Sequence, residues 1–100
     1  MTCEELAKLL SALGHEVRLR ILATLARGGE MYLSEIAEAV GVSRALAKVH
    51  LKVLERAGIV RSSLVLSEER GKALRYYKVR ELSLKLDLKR IREVCGDEVG

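Results

Sequence analysis

One hundred residues, 49% of them apolar and 32% charged, fit one domain of ordinary size and leave no room for a second. A net charge of +4 favours an acidic partner, and no run approaches the roughly 18 consecutive apolar residues of a membrane span. Reaction chemistry has no support either: the chain offers no Ser/His/Asp order, no Gly-rich phosphate loop and no paired-carboxylate site, so it reads as a non-enzyme without a cofactor.

Thr2 with Glu5 three residues later forms a capping-box pattern, and Leu6, Leu9, Leu10 and Leu13 recur at helical spacing up to Gly14. A second helix is expected from about His15 to Arg27, burying Val17, Ile21, Leu22 and Leu25, with Gly28 and Gly29 stopping it. Met31 to Leu33 reads as extended. Ser34 is then placed to cap a short third helix, Glu35 to Val40, which buries Ile36, Ala37 and Val40. After a turn at Gly41 and Val42, Ser43 caps a fourth helix, Arg44 to Ala57, that Gly58 ends.

Beyond Gly58 the period changes from 3.6 to 2. Ile59 to Leu66 and Ala73 to Val79 predict a β-hairpin whose charged tip, Ser67 to Lys72, turns at Gly71. Leu82, Leu84, Leu86 and Leu88 alternate with Ser83, Lys85 and Asp87, favouring a short further strand, with a single helix from Glu81 to Cys95 as the competitor. In the first case Asp87 caps a last helix, Leu88 to Cys95. Repeats, low-complexity runs and linkers are absent, so residues 1 to 100 are taken as one domain. The acidic start, Met1 to Glu5, is unlike a basic signal-peptide opening and leads us to expect a cytoplasmic protein.

The charge is unevenly spread. Residues 43 to 80 hold ten Lys and Arg against three Glu, as expected of a surface that meets a polyanion. Within that stretch, a short helix, a turn containing Gly41 and a longer helix opening at Ser43 have the organisation of a helix-turn-helix. Leu46, Ala47, His50, Leu51, Leu54 and Ala57 gather on one side of the fourth helix; Arg44, Ala45, Lys48, Val49, Lys52 and Arg56 gather on the other. The apolar side would dock on a scaffold while the other enters a major groove. There Arg44 and Lys48 reach base edges, Lys52 and Arg56 meet phosphates, and small Ala45 and Val49 allow close approach to thymine methyls. A basic hairpin with Arg61, Arg70, Lys72, Arg75 and Lys78 completes a winged-helix arrangement of α+β class. The candidate DNA-binding residues are therefore Ser43, Arg44, Ala45, Lys48, Val49, Lys52, Arg56, Arg70, Lys72 and Arg75.

Over roughly residues 6 to 80 the sequence resembles the ArsR/SmtB-like winged-helix repressors. LSALGHEVRLRILATL (Leu10 to Leu25) is similar to that family's opening, SRALAKVHLKVLERAGIV (Ser43 to Val60) to its recognition helix and exit into the wing, and RYYKV (Arg75 to Val79) to its returning wing strand. The resemblance implies a homodimeric, DNA-binding repressor released by a metal ion or another signal. Here the chain departs from the family pattern: Leu33, Ser34, Glu35 and Ile36 stand where one metal motif has two Cys. The two histidines, His15 and His50, lie outside the last helix, so no metal site is expected and no effector is named. His50 reads instead as a hydrogen-bonded core residue, and His15 as a helix cap or packing group.

Dimerisation is expected through the first and last helices, with Leu6, Leu9, Leu10 and Leu13 meeting Leu84, Ile91 and Val94 across a twofold axis. Cys3 and Cys95, in those same terminal helices, are open to three roles: inert thiols, a structural disulfide or a redox switch. A chain with no Asn, no Gln and abundant Lys, Arg and Glu has the composition of a thermophile's protein. Two other readings of the basic face are a protein-interaction module and a nonspecific, chromatin-like DNA binder.

Overall fold

The computed structural model describes residues 1–69 and 71–99, with residues 97–99 described by backbone alone. Helix α1 (Cys3–Leu13) opens on Thr2, whose hydroxyl accepts from the Glu5 N–H at 3.1 Å. Helix α2 (Glu16–Gly28) is capped by His15, Nδ1 of which accepts from the Val17 N–H at 3.1 Å. Its exit turns on Gly29 at φ +72°, a left-handed conformation that glycine adopts without a Cβ clash.

A two-residue strand β1 (Met31–Tyr32) leads directly into α3 (Leu33–Val40). Sequence reasoning placed the cap at Ser34 and the first helical residue at Glu35, and both need correction. Pairing of β1 with the sheet holds the chain extended as far as Tyr32. The helix therefore starts at once, Tyr32 is the cap, and the Glu35 carboxylate accepts from the Tyr32 N–H at 3.1 Å. Ser34 lies within the first turn. Gly41, at φ +78°, ends α3, and α4 (Arg44–Arg56) begins where Ser43 Oγ accepts from the Leu46 N–H at 3.1 Å.

Strands β2 (Val60–Ser67) and β3 (Lys72–Val79) form the hairpin, registered from Val60 opposite Val79 to Ser67 opposite Lys72. The sheet order is β1-β3-β2, with Met31 opposite Tyr77 and Tyr32 opposite Tyr76. Both edges of β3 are thus occupied, and the alternating leucines after Glu81 do not pair with the outer edge of β1 or β2 either. Residues 81–87 carry no regular structure, which corrects the expected strand there and also its single-helix competitor. Asp87 caps as expected, its carboxylate accepting from the Arg90 N–H at 2.7 Å, and α5 runs Leu88–Val99, four residues past the expected end at Cys95.

The core lies where α2, α3 and α4 meet the base of the sheet: Ile21, Leu25, Ile36, Val40, Leu51, Leu54, Ile59, Val60 and Tyr77 are all buried. A disulfide between Cys3 and Cys95 joins α1 to α5, with Cα atoms 4.8 Å apart. The chain is extended for its length, with a radius of gyration of 16.1 Å, where a compact 100-residue domain has about 13 Å. Among the leucines expected to reach a second copy, Leu6 is buried within this chain, while Leu9 and Leu13 are half-buried against its own core. On the side of α5, apolar surface is left open on Ile91, one of the residues expected there, and on Leu82, Leu86 and Leu88.

Candidate nucleic-acid interface

The two sides of α4 separate cleanly. Ala47, His50, Leu51 and Leu54 are buried, whereas Arg44, Ala45, Lys48, Val49, Lys52 and Arg56 face solvent. Leu46, assigned by the helical wheel to the docking side, is 44% exposed and belongs to the open face as well. Ala47 beside it is fully buried, so the covered arc is narrower than the wheel assumed and Leu46 falls at its edge, toward Val49. Ser43 Oγ accepts the cap hydrogen bond from the Leu46 N–H, which fixes how α4 enters the surface.

Folding joins charges that lie far apart in the sequence. A cleft of about 200 Å³ is lined by Arg44 at the start of α4, Lys72 and Arg75 on β3, and Tyr32 and Ser34 at the start of α3; among the described residues no carboxylate lines it. Arg75 is held across the hairpin by donating to Ser62 Oγ at 3.1 Å, and the Tyr32 and Tyr76 rings meet edge to face at 5.8 Å, bracing the wing against α3. Among the described residues, neither ion pair, Lys8 with Glu4 or Arg90 with Glu93, neutralises these cations. Three positive charges converging without a counterion make an anion-seeking surface.

Arg56 lies elsewhere. Twelve residues along α4 from Arg44, or about 18 Å at 1.5 Å per residue, it borders a cleft with Glu5, Lys8 and Leu9 of α1. Arg61 and Lys78 sit together at the base of the hairpin beside Glu30. Arg70 lies outside the described residues.

Behind α4 is a polar clamp. The Arg18 guanidinium on α2 donates from Nε to His50 Nδ1 at 3.2 Å and from one terminal nitrogen to the carbonyls of Ser11 and Ala12, both at 3.2 Å. One side chain therefore ties the end of α1 to the buried side of the recognition helix. The His15 ring packs against His50 with centroids 4.4 Å apart. Burial, reinforced by His15 and Arg18, holds the His50 imidazole below its ordinary pKa. Among the described residues no three His, Cys, Asp or Glu side chains gather where they could share a metal ion.

The helix-turn-helix domain family matches residues 13–63, from the last residue of α1 to the middle of β2. A curated relative, an uncharacterized HTH-type transcriptional regulator of Methanocaldococcus jannaschii, is 32% identical over 94% of this chain and 96% of its own length. The chain belongs to the ArsR/SmtB-like winged helix-turn-helix transcriptional regulators. Solved structures agree. The homodimeric winged helix-turn-helix DNA-binding domain of a possible ArsR-family regulator from Mycobacterium bovis superposes with a TM-score of 0.64. It is 30% identical, over 76% of this chain and 64% of that one. The transcriptional repressor BigR from Xylella fastidiosa superposes with a TM-score of 0.65 at 27% identity, over 91% of this chain and 80% of that one. In this ArsR/SmtB-like chain no described helix is long and apolar enough to cross a membrane.

Sequence reasoning had Arg44, Lys72 and Arg75 among its candidates but could not see that they share one cleft. It missed Arg18 altogether. The residue stands inside the RLRIL run, yet nothing in a helical period tells which arginine turns inward to a partner 32 positions away.

Proposed function

We propose that the chain is a sequence-specific, double-stranded DNA-binding repressor that acts as a homodimer and folds over residues 1–100 as one domain. The observation that carries this reading is the carboxylate-free cleft where Arg44 meets Lys72 and Arg75. It lets a phosphate strand run between wing and recognition helix while the first turns of α4 enter the major groove. In this reading Ser43, Arg44, Ala45, Lys48 and Val49 serve base edges and Lys52, Arg56, Lys72 and Arg75 serve the backbone; Arg70, expected with the latter from sequence, lies outside the described residues.

The dimer is supported by the homodimeric state of the Mycobacterium bovis domain and by the exposed Leu82, Leu86, Leu88 and Ile91, an apolar strip on the α5 side that a second copy would cover. Repression is supported by the likeness to BigR. Two recognition helices about 34 Å apart then meet successive major grooves of an inverted repeat.

Selection from a random duplex pool, followed by titration at two salt concentrations, tests the reading. The expected result is an inverted repeat bound at least about a thousandfold more tightly than scrambled DNA, with a salt slope of roughly −5 to −9 for six to ten phosphate contacts. Arg44→Ala and Lys48→Ala should each cost about 1 to 3 kcal/mol on that site. Equal, salt-sensitive affinity for every duplex would replace it with an architectural role, and absence of binding with a protein-interaction role.

A further inference from the structure

The open face of α4 has an unusual chemical inventory for a base-reading surface. Its cations are Arg44, Lys48, Lys52 and Arg56, and its other groups are aliphatic: Ala45, Leu46 at 44% exposure and Val49 at 57%. Ala45 and Val49 stand one turn apart on the line of Lys52 and Arg56, and Leu46 flanks them. The one carboxylate of α4, Glu55, is half-buried near the end of the helix, where its charge acts on Tyr77, so cytosine's amino group has no carboxylate acceptor along the stretch from Arg44 to Lys52. The whole chain lacks Asn and Gln, the two side chains that pair bidentately with adenine N6 and N7.

Adenine and cytosine are thus without their usual partners, while two strands of chemistry remain. Cations can bind guanine O6 and N7, and aliphatic groups can cover the one apolar feature of base edges in the major groove, the thymine C5 methyl. Resting on the DNA-reading function proposed above, we propose that α4 recognises A·T pairs from the thymine side, with Ala45, Leu46 and Val49 as specificity-determining residues packed against thymine methyls. Exposed aliphatic side chains this close to Arg44 and Lys48 gain little in water. Against a methyl in a desolvated groove they gain the transfer free energy of the methyl and of their own covered surface. Half-sites are then defined by thymine and guanine positions on whichever strand faces the helix, with adenine fixed only as thymine's complement.

Replacing single thymines of the selected site by deoxyuridine tests this directly, since uracil keeps the base pair and loses only the methyl. Binding of the full chain at fixed salt should weaken about fourfold at each contacted thymine. The same replacement outside the half-sites should leave affinity unchanged. Leu46→Ala and Val49→Ala should bind the thymine site more weakly and discriminate less between thymine and uracil. Both side chains are exposed, so thermal midpoints should stay at the parent value and separate a lost contact from a lost fold. Uniform indifference to uracil, or full discrimination retained by both variants, overturns the proposal while leaving sequence-specific binding intact. Failure to select any site overturns the DNA-reading function itself, and the methyl contact with it.

Discussion

The helix-turn-helix body and the two arms that leave it obey different rules. In the body, Ile21, Ile36, Leu51 and Leu54 are wholly out of solvent, and the buried imidazole of His50 has its hydrogen-bond partner. The arms, the far half of the hairpin and the segment from Leu82 through α5, leave Leu64, Leu66, Leu82 and Leu88 open to water. Packing inside one chain explains the body's interior, although Leu19, Leu46 and Val49 on its outer surface stay open. The basic cleft on the wing and the exposed leucines beside α5 differ in chemistry, and they suit the two different partners proposed above, a polyanion and a second copy.

The sharpest test of that contrast is a pair of leucines. Leu51→Ala should lower the free energy of unfolding by about 3 to 5 kcal/mol, the transfer term plus the cavity left in a closed core. Leu66→Ala, at a side chain 74% exposed, should stay within about 0.5 kcal/mol of the parent. Denaturant titration of both measures the gap. A large loss at Leu66 would mean that the wing is covered in solution and would erase the distinction.

Next in size is the bond that fastens the second arm. The Cys3–Cys95 disulfide links residues 92 positions apart, and opening so long a loop should remove about 2 to 4 kcal/mol, chiefly by freeing the unfolded chain. Thermal unfolding with and without reductant, at fixed protein concentration because a dimer also stabilises by mass action, reads the effect. An unchanged midpoint would show that α5 is held by its packing alone.

Smaller again is the clamp within the body. Arg18→Ala removes three donated hydrogen bonds and leaves His50 Nδ1 without its partner, at an expected cost of about 1 to 3 kcal/mol. Operator affinity should fall further than stability explains, because the end of α1 and the recognition helix lose their common anchor. Comparison of Kd for Arg18→Ala and Arg18→Lys well below both melting points checks this. Equal affinities across the three proteins would confine Arg18 to a stabilising role.

What the sequence disclosed divides along the same line. Helices α1, α2 and α4 were legible because their caps and apolar period lie within a dozen residues, as with Thr2, His15 and Ser43. The start of α3 was placed two residues late because the extended run was carried through Leu33, whereas the pairing that holds the chain extended ends at Tyr32 opposite Tyr76, 44 positions later in the chain. The alternation at Leu82 to Leu88 looked like a strand for an equally nonlocal reason: a pattern of period 2 cannot report whether any strand of the sheet takes the segment as a neighbour, and none does. In the interface, residue types were readable while convergence was not. Arg44 and Arg75 share a cleft only because the hairpin folds back over the start of α4.

The smallest effect concerns protons. His50 in the folded chain has a pKa below 6.5, set first by burial and then by the fields of His15 and Arg18. As pH falls through 6.5 the unfolded chain takes up its proton before the folded one does. The unfolded state then binds more protons, so this stabilising contribution is complete above pH 6.5 and declines as the pH drops toward the folded pKa. Protonation also costs His50 Nδ1 its lone pair, so the acceptor for Arg18 Nε disappears in the same step. A glutamine retains an acceptor and does not titrate. Stability measured from pH 7.5 to 5.5 should therefore fall more steeply in the parent than in His50→Gln, and parallel curves would remove His50 from any account of the protein's acid sensitivity.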